Sequence, residues 1–138
     1  MTALTVPTTR QWPLAAYVDF SFSDMVGSTA VELFAVPAGS ILTYMSLYTT
    51  TAFAGGTTHD CDIGDITDPD EYSTTIIELD GTAGLPTNKP TLSGYKTTTT
   101  EPKVLLTPIS TGGDPTSGVG YVFATYIVVG RSNENYEY

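Results

Sequence analysis

A chain of 138 residues with one cysteine and a formal net charge of −10 is one domain's worth of protein, able to bury about two thirds of its unfolded surface without disulfides. Fifteen carboxylates face five basic residues, and none of the basic ones falls between Arg10 and Lys89, so the clustered cations that phosphates demand are missing and no nucleic acid is expected as a partner. No 18-residue apolar run exists and Met1 to Pro13 lacks a signal-peptide pattern, so the expectation is a soluble protein with no membrane partner and no export by that route.

Apolar residues make up 41% and charged residues only 14%, with threonine and serine supplying most of the polarity. Threonine favours strands, which points to an all-β protein rather than to disorder. In chain order, residues 1–13 hold two prolines and scattered apolar residues and read as an extended arm. Its Trp12 suits either an anchor in a partner's pocket or a plug closing the end of the β core. Residues 14–131 form a single β-sandwich domain, and residues 132–138 a polar, loose tail.

Within that domain, Ala16, Val18, Phe20 and Phe22 alternate with Tyr17, Asp19, Ser21 and Ser23, a strand with one wet face. A turn at Asp24 to Ser28 leads to a strand from Thr29 to Val36, and Pro37-Ala-Gly39 reverses the chain into a strand from Ile41 to Thr51. Ala52 to Thr58, with its double glycine, reads as a mobile loop. Asp60 to Ile66 is a short strand, Thr67 to Tyr72 a turn, and Ser73 to Leu79 a strand or a short helical turn. Asp80 to Lys89 is loop. Strands follow at Leu92 to Thr100 and at Lys103 to Pro108, then a hairpin loop at Ser110 to Gly118. The longest apolar run is Val119 to Arg131, a core strand apolar on both faces, which asks for cover on both sides by a second sheet and by a neighbouring chain or loop. Eight or nine short strands without an amphipathic helix or a fixed repeat give a β-sandwich, jelly-roll-like by strand count.

Catalysis lacks a constellation. The lone histidine, His59, reads as an exposed loop residue, there is no nucleophile elbow or phosphate loop, and His59 with Cys61 is too few ligands for zinc. No cofactor is expected; the state of Cys61 is open. Acids gather instead: Asp60, Asp62, Asp65, Asp68, Asp70 and Glu71 fall within twelve residues that carry no lysine or arginine. Such charges are solvated, matched by a basic partner surface with Asp68 and Asp70 as contacts, or neutralised by calcium on Asp62, Asp65 and Asp68. Lys89, Lys96 and Lys103 read as strand-edge lysines that discourage edge pairing.

The run Tyr17-Val-Asp-Phe-Ser-Phe-x-Asp24, Pro37-Ala-Gly39, Asp62-Ile-Gly-Asp65 followed by Asp68-Pro-Asp-x-Tyr72, and Gly118-x-Gly120 leading to Tyr126-Ile-Val-x-Gly-Arg131 resembles the capsid decoration, or cement, proteins of tailed bacteriophages. The resemblance spans about Tyr17 to Arg131. It implies a jelly-roll-like sandwich without enzymatic activity that forms homotrimers on the outer surface of the virion head and clamps neighbouring subunits of the major capsid protein. The arm, with Val6, Arg10 and Trp12, would lie along the capsid or the adjacent protomer. The competing expectation is a carbohydrate- or receptor-binding module of a phage fibre, with Tyr44, Tyr48, Tyr72 and Tyr95 as stacking surfaces.

Overall fold

The computed structural model describes residues 9–73, 75–81, 95–96, 103–131 and 134–135. Eight strands build the sandwich: β2 (Leu14–Ser21), β3 (Val31–Ala35), β4 (Ser40–Ala54), β5 (Thr58–Gly64), β6 (Ile77–Glu78), β7 (Tyr95–Lys96), β8 (Lys103–Thr111) and β9 (Ser117–Val128). One sheet runs β2-β9-β4-β7 and the other β3-β8-β5-β6, with every pairing antiparallel. Counted within the sandwich, the order is first, eighth, third, sixth in one sheet and second, seventh, fourth, fifth in the other. That interleaving is the jelly roll, two Greek keys wrapped on each other. A separate pair of strands, β1 (Thr9–Arg10) and β10 (Glu134–Asn135), joins the two ends of the chain.

The core lies between the sheets and is filled by the inward residues of each strand, among them Leu42, Met45, Leu47 and Phe53 of β4, Ile63 of β5, Val104 and Leu106 of β8, and Val122 and Ala124 of β9. Fully burying one side chain of this size contributes about 1.5–3 kcal/mol. Gly118 and Gly120 have a packing reason. A Cβ on Gly120 would come within 2.8 Å of the Phe20 ring and one on Gly118 within 2.4 Å of the Phe53 ring, and these two rings stack on each other at 5.6 Å between centroids. Strand β9 thus forgoes side chains where the stacked Phe20 and Phe53 rings press against its backbone.

Several expectations are refined or overturned. Pro37 to Ser40 does make a tight turn, closed by the Ser40 amide on the Pro37 carbonyl at 3.1 Å with Gly39 at φ 77°. The segment after Phe22 is a 3-10 helix, Phe22–Ser28, because the Asp24 carboxylate accepts from the Ser21 amide at 2.8 Å and Met25 is drawn fully into the core. Strand β4 runs on to Ala54, so only Gly55 to Thr57 is left as a turn and there is no mobile loop over Ala52 to Thr58. Strand β8 continues past Pro108 to Thr111. Its pairing with β3 ends at Leu106, which leaves the proline where one side of the strand has no ladder to maintain. Lys103 is no edge lysine either: it sits on β8, inside its sheet, and pairs with Glu32 at 3.0 Å. Among the described residues between Ser73 and Leu79, only Ile77–Glu78 is strand. Most of the 80–89 loop and of the 92–100 strand lies outside the described residues, although Tyr95–Lys96 does pair with β4.

Candidate binding surfaces

His59 is buried, at 2% exposure, which overturns its reading as an exposed loop residue. It stands on β5 with its side chain on the core side, where Nε2 meets the Gly55 carbonyl and Nδ1 lies 3.1 Å from the Ser110 hydroxyl. A carbonyl only accepts, so Nε2 carries the hydrogen, and in a neutral ring Nδ1 accepts from Ser110. The histidine therefore pins the β4–β5 turn to β8. Cys61, on the same strand, is a free and fully buried thiol, and burial pushes its pKa well up, with Asp62 and Asp60 adding to the effect. Neither group is presented as a nucleophile or a base.

The acidic stretch divides into three local situations. Asp60 and Asp62 occupy outward positions of β5, and Asp60 lies directly across from Glu78 on β6. Burial raises the Asp60 carboxyl above its ordinary value, helped by the charges of Asp80 and Glu78. Burial raises Asp62 as well, with the charge of Asp70 next. Asp65 behaves in the opposite way. Its carboxylate is turned onto its own loop, accepting from the Thr67 amide at 2.8 Å, the Thr67 hydroxyl at 2.7 Å and the Asp68 amide at 2.8 Å. Desolvation alone would raise it, but the bonds from the Thr67 hydroxyl and the Asp68 and Thr67 amides outweigh that and hold it low. The loop folds back so closely that a Cβ on Gly64 would meet the Asp68 carbonyl oxygen at 2.1 Å. Asp68 and Asp70 are left at the exposed tip, with Ile66 exposed beside them. A hydrogen bond with Asp68, then its charge, raises Asp70; Glu71 is raised by burial and then by Asp68. The structure does not gather Asp62, Asp65 and Asp68 around one point, and among the described residues no three acidic, histidine or cysteine side chains converge as metal ligands.

A second surface lies on the other sheet. On β9 the residues Gly118, Gly120, Val122 and Ala124 face the core and are buried, whereas Tyr121, Phe123, Thr125 and Ile127 point outward and are half-buried. Register sets Tyr121 between Asp19 of β2 and Tyr48 of β4, and Phe123 between Tyr17 and Ser46. The result is a continuous aromatic row across three strands. Tyr121 lies 5.3 Å from Tyr17 and 5.3 Å from Tyr48 between centroids, Phe123 6.1 Å from Tyr121, and Tyr44 5.9 Å from Phe123. Tyr17 and Tyr44 are the most open, at 62% and 48% exposure. Tyr17 donates its hydroxyl to Asp19 at 2.6 Å, a bond that also raises the phenol pKa. Thr43 and Thr125 share a hydroxyl bond at 2.8 Å. Ser46, in the same row, has a buried hydroxyl without a hydrogen-bond partner. Alternation already placed Tyr17 on a wet face and gave the Val119 to Arg131 run two apolar faces, but which strands lie side by side is not written in any one strand. Of the tyrosines expected to offer stacking surfaces, Tyr72 is instead buried, its pKa pushed up to about 12 by desolvation and then by Asp65 and Glu71, and the Tyr95 side chain lies outside the described residues.

At the chain ends, Trp12 is 68% exposed, so it does not close the core. Thr9 and Arg10 pair with Asn135 and Glu134, which ties the tail, expected to be loose, to the arm through backbone bonds that need no apolar pattern. Between them Gln11 acts as a substitute peptide: its amide donates to the Val128 carbonyl at 2.6 Å and accepts from the Val128 amide at 2.8 Å. Val6 lies outside the described residues.

No family model and no curated protein matches the sequence. Among solved structures the chain is similar to one from the cyanophage Pam1 capsid asymmetric unit, with a TM-score of 0.66 and 17% identity over 93% of this chain and 92% of that one. The fold is one found in phage capsids. It is also similar to a chain in the acidic stable capsid structure of Helicobacter pylori bacteriophage KHP30, with a TM-score of 0.63 and 14% identity over 84% and 87% of the two chains.

Proposed function

We propose that this chain is a virion structural protein, a decoration or cement protein that sits on the outer surface of a phage head as a homotrimer and clamps neighbouring subunits of the major capsid protein. The observation that carries the reading is the match in fold over nearly the whole length of both chains to a protein of a capsid asymmetric unit. The arrangement of charge supports it. The tip at Asp68 and Asp70 is exposed, lies in a stretch of sequence without lysine or arginine, and suits a basic patch on a partner of another kind. Multivalency supplies the physical advantage: once one copy in an assembly is attached, the remaining contacts form at high effective concentration, so individually weak contacts hold a shell. The arm, with Val6, Arg10 and Trp12, extends the contact.

The test is co-sedimentation of purified protein with heads of the cognate phage lacking it. Attachment is expected at low salt and should weaken toward 1 M, where the Debye length falls from ~10 Å to ~3 Å. Asp68→Asn with Asp70→Asn should weaken it at low salt with the fold intact, and deleting residues 1–8 should weaken it further. Heads that never bind the protein at any salt concentration would sink the proposal. The aromatic row keeps a second reading in view, a carbohydrate- or receptor-binding module, since tyrosine faces stack on sugar rings; saturable glycan binding lost on replacing Tyr17 and Tyr44 would favour it.

A further inference from the structure

We infer that the outer face of the β2-β9-β4 sheet is a homotypic interface, covered in the assembled protein by a second copy of this chain. This deepens the decoration reading, on which it rests for its biological setting, but the contact itself forms or fails without any capsid. The argument begins with charge. The chain carries −10 overall, and the acids of β5 and the loop after it lie on the other sheet. Among the described residues, the aromatic row holds one carboxylate, Asp19, already engaged by the Tyr17 hydroxyl, with Asp24 at its rim bound to Ser21. A basic partner would gain little there, whereas two copies can meet through this face without opposing their acidic segments. Chemistry points the same way. The polar groups of the row are hydroxyls, on Tyr17, Tyr44, Tyr48, Tyr121 and Thr125, and a hydroxyl both donates and accepts. Such a face can meet hydroxyl-bearing surface of another copy with donors matched to acceptors, as a face of carboxylates or ammonium groups cannot. Its rings supply the apolar, low-entropy contact area that interfaces favour.

The experiment compares the native chain with a Tyr17→Asp, Tyr44→Asp variant by sedimentation equilibrium, with circular dichroism confirming the β fold. The native protein should run as a multiple of 14.7 kDa and the variant should dissociate at least tenfold more readily, while Asp68→Asn with Asp70→Asn leaves the mass unchanged. Should the variant misfold, a photo-cross-linking benzoylphenylalanine in place of Tyr17 decides, because it should join chains of the native protein to one another. A native protein that stays at 14.7 kDa and yields no cross-linked product, or a folded variant that associates as before, overturns the inference. So does a monomeric native protein in which the same two substitutions abolish head attachment or sugar binding, since the face would then belong to the capsid or to a glycan. Association through this face without attachment to heads leaves the inference standing and removes the decoration reading.

Discussion

Gly118 is held at φ 137° with the Phe53 ring where its Cβ would be, so Gly118→Ala combines backbone strain with overpacking. The expected loss is roughly 2–4 kcal/mol in chemical denaturation, and adding Phe53→Leu should recover part of it; simple additivity of the two changes would refute the steric account. Ser46 sets up the contrary case. Its hydroxyl is buried without a partner, so Ser46→Ala removes an unsatisfied group and should leave stability unchanged or raise it by about 1 kcal/mol. A loss of more than that would mean the hydroxyl is bonded in the assembled protein. Sequence reading could not reach these assignments, nor that of His59. A lone histidine after two glycines looks like loop, and only the register of β5 on β8 brings Ser110 to its ring.

Among the elements, the acidic stretch makes the clearest prediction. Asp60, Asp62, Asp70 and Glu71 are all raised above their ordinary values, so the folded chain takes up these protons before the unfolded one does. Their unfavourable contribution is present at neutral pH and is relieved as pH falls through the folded values toward the ordinary 3.8 for Asp and 4.5 for Glu. Asp65 is lowered, and its favourable contribution, present above 3.8, is lost as pH falls on through its folded value. The melting temperature should therefore rise from pH 7 to about pH 4 and fall below it, with the rise flattened by Asp62→Asn plus Asp70→Asn and by high salt. A steady decline from pH 7 to 4 would show that repulsion in this segment is negligible. The density of acids was legible from composition alone. That they split into an outward pair on β5, a self-capped Asp65 and an exposed tip was not, because alternation gives the face of a residue on a strand but not the path of the turn that follows.

For the whole molecule, the sandwich and its jelly-roll character were readable because turn signals separated runs of clear period-two alternation. The two-faced apolar strand was recognised as central; its inner row packs in the core and its outer row is the half-buried aromatic face, since Tyr and Phe serve a sheet's surface as readily as its interior. The position of that strand bears on how the chain is made. Strand β9 lies between β2 and β4, so Leu14 waits for Tyr126 and neither neighbour has its mate on that side until Ser117–Val128 has left the ribosome. Synthesis proceeds at about 5–20 residues per second, which leaves two apolar, tyrosine-bearing strands with open edges for several seconds. Folding should be slow, in the millisecond-to-second range of non-local β topologies, and stopped-flow refolding is expected to show it. A truncation ending before β9 should aggregate rather than hold a partial sandwich, so the last strand of the sandwich to emerge is the one that makes the chain safe in a crowd of its own copies.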